Sequence, residues 1–258
     1  MSSADTALDF ERSGPADASA DGTVAVLLHG RGSDKHDLQG LRPHLPPEWV
    51  LITPQAPFPG AAWGYGGGGA WYRYKQDDEV WVDTLRESLA RLDAFLTELP
   101  GTLGFEPVRL VLGGFSQGGT VSLAYALSRP GAVAAALNFS GFLAATVDLD
   151  ESGAAPPDTP IFWGHGVGDP AIPIGLAEKG RSRLRRAGAK VVVVGRKESS
   201  VDAAQSALGE DGKAIVGDAR RPEAAEQAIA LAVQAWGGFH GLYHVAGGSG
   251  RAQGDGPL

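Results

Sequence analysis

Apolar residues in this chain come in short unbroken runs with helical patterns between them. Runs at 24–28, 49–54, 108–113, 133–139, 160–165 and 190–194 are short and show little polar alternation, which predicts strands covered on both faces. Between them the apolar positions change period. Trp81, Leu85, Leu89, Leu92, Phe95 and Leu96 recur on one face of 79–99, which predicts an amphipathic helix. Small and apolar side chains fill 121–127, and 176–187 reads as a basic amphipathic helix. Strand and helix thus alternate from 24 to 194, the pattern of an α/β fold with an open, mostly parallel sheet.

Two stretches fall outside this alternation. Residues 1–22 are rich in Ala, Asp, Ser and Gly and are expected to form a flexible arm, in which 6–10 offers an edge strand. Residues 54–75 combine Pro and Gly with Trp63, Tyr65, Trp71, Tyr72 and Tyr74. A loop of that length is uncommon unless it serves as a lid or pocket wall. An aromatic flap folded onto the core is the alternative. Trp63, Trp71 and Tyr72 are the candidates for a substrate pocket.

Composition narrows the function. Hydrophobic residues make up 43% and charged residues 20% of the 258 positions, as in globular proteins. The net charge of −8 argues against a nucleic-acid partner. Cysteine is absent, so disulfides and thiolate metal sites are excluded, and no metal is expected. The first residues show no basic segment leading into an apolar one, so no signal peptide is expected. No apolar run approaches the ~18 residues of a membrane span. These features point to a cytoplasmic protein.

The strand at 108–113 runs into Gly114-Phe115-Ser116-Gln117-Gly118. A serine in a sharp turn between strand and helix lifts its hydroxyl above the sheet, provided its neighbours lack bulk. With 38 glycines in the chain, chance also produces Gly-x-Ser-x-Gly; the strand-turn-helix context makes it informative. A plain Ser-Gly turn is the alternative. A nucleophilic serine needs a base, an orienting carboxylate and donors for an oxyanion. Asp169 follows the 160–165 strand, where the chain order Ser, Asp, His puts the acid, although Asp-Pro after glycine is also a common turn. The backbone N–H groups of Gln117 and Arg31 are the candidate oxyanion donors, the first because a helix N-terminus favours negative charge.

Several segments together carry a resemblance: Leu28-His29-Gly30-Arg31-Gly32, Thr53-Pro54-Gln55-Ala56-Pro57, Trp71-Tyr72, Gly114-Phe115-Ser116-Gln117-Gly118-Gly119, Phe139-Ser140-Gly141, and Gly164-His165-Gly166 leading to Asp169-Pro170. Through them, 20–188 resembles the phospholipase/carboxylesterase family of α/β-hydrolases, the group that includes acyl-protein thioesterases. The resemblance implies an esterase for small or medium carboxylic esters, with Ser116 as nucleophile, Asp169 as triad acid, and no cofactor.

The family pattern then breaks. After the strand at 190–194 the family carries its base in a Gly-His loop; here Gly195-Arg196-Lys197-Glu198 follows, and no histidine occurs between His165 and His240. From 187 to 258 the chain resembles the short-chain dehydrogenases/reductases instead. Gly188 to Arg196 looks like that family's second strand, 214–218 like the third, and 241–248 like the fourth with its turn, His244 standing where Asn is usual. A helix is expected at 222–236, with Ala225, Ile229, Ala232, Val233 and Trp236 on its apolar face. The Gly-rich phosphate turn and the Tyr-x-x-x-Lys pair of that family are not among these residues, so no NAD(P) binding is expected. The expected domains are an arm at 1–22, a hydrolase-like domain at 23–188 and a dehydrogenase-like tail at 189–258, joined within 176–189.

Six histidines compete for the role of base. His29 reads as a brace for the oxyanion loop, His36 and His44 as solvated, and His165 as structural. His240 opens the last tail strand and His244 closes it. Sites in open α/β sheets lie beyond the carboxyl ends of the strands, so His244 is the tail candidate. Two functions stay open: an esterase weakened by loss of the family histidine and served by His244, or a catalytically impaired hydrolase-like module used for binding or regulation or for nothing at all. The last tail strand is expected at a sheet edge or against another chain, a route to a homo-oligomer.

Overall fold

A computed structural model describes residues 8–16, 22–149, 159–166, 169–195, 198–217, 222–236 and 241–244. The chain divides into two compact units, 1–148 and 149–258. The first runs β1 (Phe10–Ser13), β2 (Thr23–Leu28), β3 (Val50–Pro54), four short strands β4 (Phe58–Pro59), β5 (Gly69–Ala70), β6 (Tyr74–Gln76) and β7 (Glu79–Val80), helix α1 (Val82–Leu103), β8 (Arg109–Phe115), helix α2 (Gln117–Ser128) and β9 (Ala135–Phe139). Its sheet has the order β1-β3-β2-β8-β9, parallel throughout except for β1. The edge strand expected at 6–10 is found at Phe10–Ser13, antiparallel to β3, and positions 6 and 7 lie outside the described residues. Every residue of β2 and β3 is buried, as unbroken apolar runs require.

Helix α1 begins later than its pattern suggests, because Glu79 and Val80 pair with β6. Trp81, expected on the buried face, is instead 49% exposed, with the Arg73 guanidinium 4.8 Å above its ring. The buried face is carried by Leu85, Leu92, Phe95, Leu96 and Leu99. The helix continues past Pro100 because Leu103 is buried in its last turn. Gly104, at φ 79°, ends it and donates its N–H to Pro100 O at 2.9 Å, a left-handed cap.

The second unit alternates β10 (Ile161–Gly164), α3 (Ile174–Arg186), β11 (Val191–Gly195), α4 (Glu198–Leu208), β12 (Gly212–Val216), α5 (Pro222–Trp236) and β13 (Gly241–His244). Its strands are parallel, in the order β10-β13-β11-β12. This corrects the expectation for the last tail strand. β13 lies at neither an edge nor another chain but between β10 and β11, with Ile161 opposite Gly241, Gly164 opposite His244, and Val192 opposite Leu242. The flank of β11 opposite β12 is filled by β13. Pairing on both sides satisfies backbone groups that an edge would leave open.

The face of α5 also differs from its pattern. Ala224, Ala228 and Ala232 are buried, the last two packed with Val192, Phe162, Val194, Ile215, Leu231 and Trp236. Ile229 and Val233 are 38% and 48% exposed. Ala228 and Ala232 sit closest to the strands, with Leu231 and Trp236 packed beside them; of the expected face, Ala232 and Trp236 are on it and Ile229 and Val233 are not. His240 and the turn at 245–248 lie outside the described residues.

Candidate active site

Ser116 stands between β8 and α2 at φ 53° and ψ −114°, a left-handed conformation that a residue with a Cβ adopts only under strain. Its N–H donates to Phe139 O at 2.8 Å and its carbonyl accepts the Thr120 N–H at 3.1 Å. The flanking glycines make the turn possible. A Cβ on Gly114 would lie 2.4 Å from the Gly118 carbonyl carbon, and one on Gly118 would lie 2.0 Å from Leu28 O. Neither position has room for any side chain.

A second strained serine, Ser140, sits at φ 53° just beyond β9. Asn138 Oδ1 accepts the Gly141 N–H at 2.8 Å, and Thr120 Oγ1 accepts the Phe142 N–H at 3.1 Å. The turn after β9 is thereby tied to the first turns of α2. Sequence reasoning picked out Phe139-Ser140-Gly141 as a motif but not the bracing by Asn138 and Thr120, which no local pattern announces.

The N–H groups of Gln117 and Arg31 have no acceptor among the described residues. Gln117 is the first residue of α2, where an N–H has no intrahelical partner and the helix dipole is positive. The close approach of Gly118 to Leu28, and the 3.1 Å from a Cβ built on Gly30 to the Phe115 ring, seat the Arg31 loop directly against the elbow. His29 fixes the peptide that carries the Arg31 N–H. Its Nδ1–H donates to Gly30 O at 2.7 Å, and its Nε2 accepts the Ala56 N–H at 3.1 Å. The Gly30–Arg31 peptide is planar and trans, so holding its oxygen turns the Arg31 N–H the opposite way. Burial pushes the His29 imidazole below its ordinary value, which keeps it neutral and in this bonding pattern. It is a brace, as expected, and has no proton-accepting nitrogen left for Ser116.

The aromatic loop closes over this framework. Gly32 N–H donates to Gly69 O at 2.8 Å, Gly69 N–H returns to Ser33 O at 2.6 Å, and the Arg31 guanidinium lies 4.8 Å from the Tyr65 ring centre. Of the three residues expected to wall a substrate pocket, Trp63 is half-buried and stacks on Phe58 and Tyr65. Trp71 and Tyr72 are 0% and 1% exposed. Trp71 donates its indole N–H to His29 O at 2.9 Å and its backbone N–H to Gln117 Oε1 at 3.0 Å. The Gln117 amide donates in turn to Tyr72 O at 2.8 Å, and Ser88 Oγ donates to Trp71 O. In this structure Trp71 and Tyr72 are internal struts; burial raises the Tyr72 phenol far above its ordinary value. A cavity of about 440 Å³ lies between α1, α2 and 146–148, lined by Leu85, Leu89, Ala124, Leu127 and Val147 among others. Ala124 is two turns, about 12 Å, along α2 from Ser116, so that cavity is not the chamber in front of the serine hydroxyl.

Asp169, His165 and His244 belong to the second unit. Asp169 Oδ1 accepts the N–H groups of Ala171 and Ile172 at 2.9 and 3.0 Å, which fixes the carboxylate on its loop. His165 is buried; its Nε2 lies 2.8 Å from Ile172 O and 4.0 Å from Asp169 Oδ2, and its Nδ1 has no partner among the described residues. It braces the same loop. His244 ends β13 directly across from Gly164, the last residue of β10. The segments carrying Asp169 and His244 therefore sit at the carboxyl ends of adjacent parallel strands. Among the described residues no cluster of three or more His, Asp and Glu suits a metal, and no helix is long and apolar enough to cross a membrane.

Residues 15–203 match the Phospholipase/Carboxylesterase family model. The chain belongs to this family. A second family model, Enoyl-(Acyl carrier protein) reductase, matches 172–257, so the two overlap across α3, β11 and the start of α4. Among curated relatives, acyl-protein thioesterase 1 of Kluyveromyces lactis is 31% identical over 163 residues, 58% of this chain and 71% of that protein. Among solved structures, the Bacillus cereus carboxylesterase superposes with a TM-score of 0.59 at 16% identity, covering 89% of this chain and 95% of that one. Zea mays acyl-protein thioesterase 2 gives 0.57 at 19% identity, covering 88% and 98%. The phospholipase/carboxylesterase membership identifies an ester hydrolase by descent, and these superpositions show an α/β-hydrolase fold.

Proposed function

We propose that the chain is a serine carboxylesterase that moves the acyl group of a short- to medium-chain carboxylic ester first to Ser116 and then to water. In the first half-reaction Ser116 Oγ bonds to the ester carbonyl carbon while its proton passes to a base. The carbonyl oxygen becomes an oxyanion held by the N–H groups of Arg31 and Gln117. The C–O bond then breaks, and the alcohol leaves with that proton. Water repeats the sequence on the acyl-serine and releases the acid. The observation that carries the proposal is Ser116 at φ 53° between Gly114 and Gly118, both too crowded for a Cβ. Strain of that kind is maintained where the surroundings over-determine it and function uses it.

Asp169 is proposed as the orienting acid and His244 as the base. The pairing of Gly164 with His244 supports putting the two together, at the carboxyl ends of parallel strands where α/β sites lie. The aromatic content of 54–75 supports an apolar acyl group, with Trp63 the pocket residue that retains accessible surface. The overlap of the two family matches over 172–203 supports a junction within 176–189, dividing a hydrolase domain at 23–188 from a dehydrogenase-like tail.

Hydrolysis of nitrophenyl esters of increasing chain length by wild type, Ser116→Ala, Asp169→Asn and His244→Ala tests the assignment. Ser116→Ala is expected to fall to background, and the other two to lose roughly 10²–10⁴-fold in kcat. One observation favours a second function, an impaired binding or regulatory module: no histidine stands between His165 and His240. A wild-type rate equal to that of Ser116→Ala ends the esterase. Activity kept in His244→Ala removes His244 alone.

A further inference from the structure

We infer that Trp71 is a positioning residue that holds the two oxyanion-binding amides in register with one another. The inference rests on the serine-esterase proposal, which supplies the oxyanion. The two donors come from separate segments, the loop after β2 and the first turn of α2, and Trp71 is bonded to both. Its indole N–H holds His29 O at 2.9 Å, two residues before the Arg31 donor. Its backbone N–H holds the side chain of Gln117, the residue whose own backbone N–H is the other donor, at 3.0 Å. Gln117 returns a bond to Tyr72 O at 2.8 Å, so its amide is tied to two consecutive residues and cannot rotate without breaking both bonds. The Trp71 ring also packs on the His29 ring, with centroids 5.6 Å apart. His29 fixes the peptide that bears the Arg31 N–H.

Trp71, Tyr72, His29 and Gln117 are all buried. Bonds in such a site are stronger than in water, and an unmade one is costly. Oxyanion stabilisation depends on donors placed before the charge develops, and small displacements forfeit much of it. A residue fully enclosed and bonded to both donor segments acts on the transition state through them, without touching substrate.

Trp71→Phe tests this, since it keeps a ring and the backbone N–H and deletes only the indole donor. Competent serines are counted by titration with a phosphonate ester. Per competent serine, kcat is expected to fall roughly tenfold to hundredfold, less than the ~10²–10³ of losing a donor outright, with KM changed less than about twofold. Hydrogen exchange at amides 29–33 is expected to quicken by about tenfold or more. Ser88→Ala removes the bond to Trp71 O from α1 and serves as the structural control: it lowers stability and leaves kcat per competent serine within about twofold. If Trp71→Phe does not fold, Gln117→Met removes the other side of the bridge while keeping the backbone amide, with the same expected loss. A folded variant with unchanged kcat and unchanged exchange overturns the inference, as does an equal loss of kcat in Ser88→Ala. A wild type no faster than Ser116→Ala sinks the esterase instead; exchange at 29–33 then decides the role of Trp71 by itself.

Discussion

Helices α2 and α5 both lie on parallel strands through small residues, and they use them differently. α2 meets its strands with Gly118 and Gly119, where an added Cβ would lie 2.0 Å from Leu28 O and 2.2 Å from Asn138 Oδ1. α5 buries Ala224, Ala228 and Ala232, the last two with their methyl groups against Val192 and its neighbours. At α5 the small residue is a packing choice, and the helix earns stability from each methyl. At α2 the Gly118 backbone lies against the Leu28 carbonyl, and beside it stands a strained Ser116, next to N–H groups that have no acceptor among the described residues. The packing against α5 tolerates a methyl group; the turn at Ser116 does not.

The comparison can be broken by substitutions of graded effect. Gly118→Ala is expected to cost about 3 kcal/mol, because the methyl meets a strand carbonyl that cannot retreat; urea unfolding measures it, and a cost below about 1 kcal/mol would mean that α2 lies no closer than α5. Ala228→Gly should cost about 1–2 kcal/mol, from the lost buried methyl and the freer unfolded backbone. The buried His29 should make stability depend on pH. Its imidazole titrates below the ordinary value when folded and near ~6.5 when unfolded, so the unfolded chain binds more protons below that pH. Its contribution is therefore complete above ~6.5 and is lost as pH falls towards the folded value. The unfolding midpoint should drop between about pH 7.5 and about pH 5.5, and drop less in His29→Asn. Smallest of all, Val233→Gln should change stability by less than about 0.5 kcal/mol. A cost of about 2 kcal/mol or more would restore the face that the apolar pattern of α5 suggests.

Much of the first unit was legible along the chain. Unbroken apolar runs marked β2, β3 and β8, because a strand covered on both faces has no polar alternation to confuse it. Gly-x-Ser-x-Gly marked the elbow, because its glycines answer a local steric demand. Trp81 and Trp71 show where that legibility stopped. One looked buried by helical spacing and is exposed on Arg73; the other looked like a pocket wall and is sealed, bonded to His29 and Gln117. Large aromatics satisfy an apolar period equally well at a surface, a pocket or a core.

By itself, the order of residues determined the alternation of strands and helices, the serine turn and its candidate donors. These depend on neighbours within a few positions. The place of β13 between β10 and β11, the face that α5 presents and the bridge through Trp71 were decided only in the folded chain. Each joins segments far apart in sequence, and which segments meet depends on the hydrogen-bonding flank or buried volume the rest of the fold leaves open.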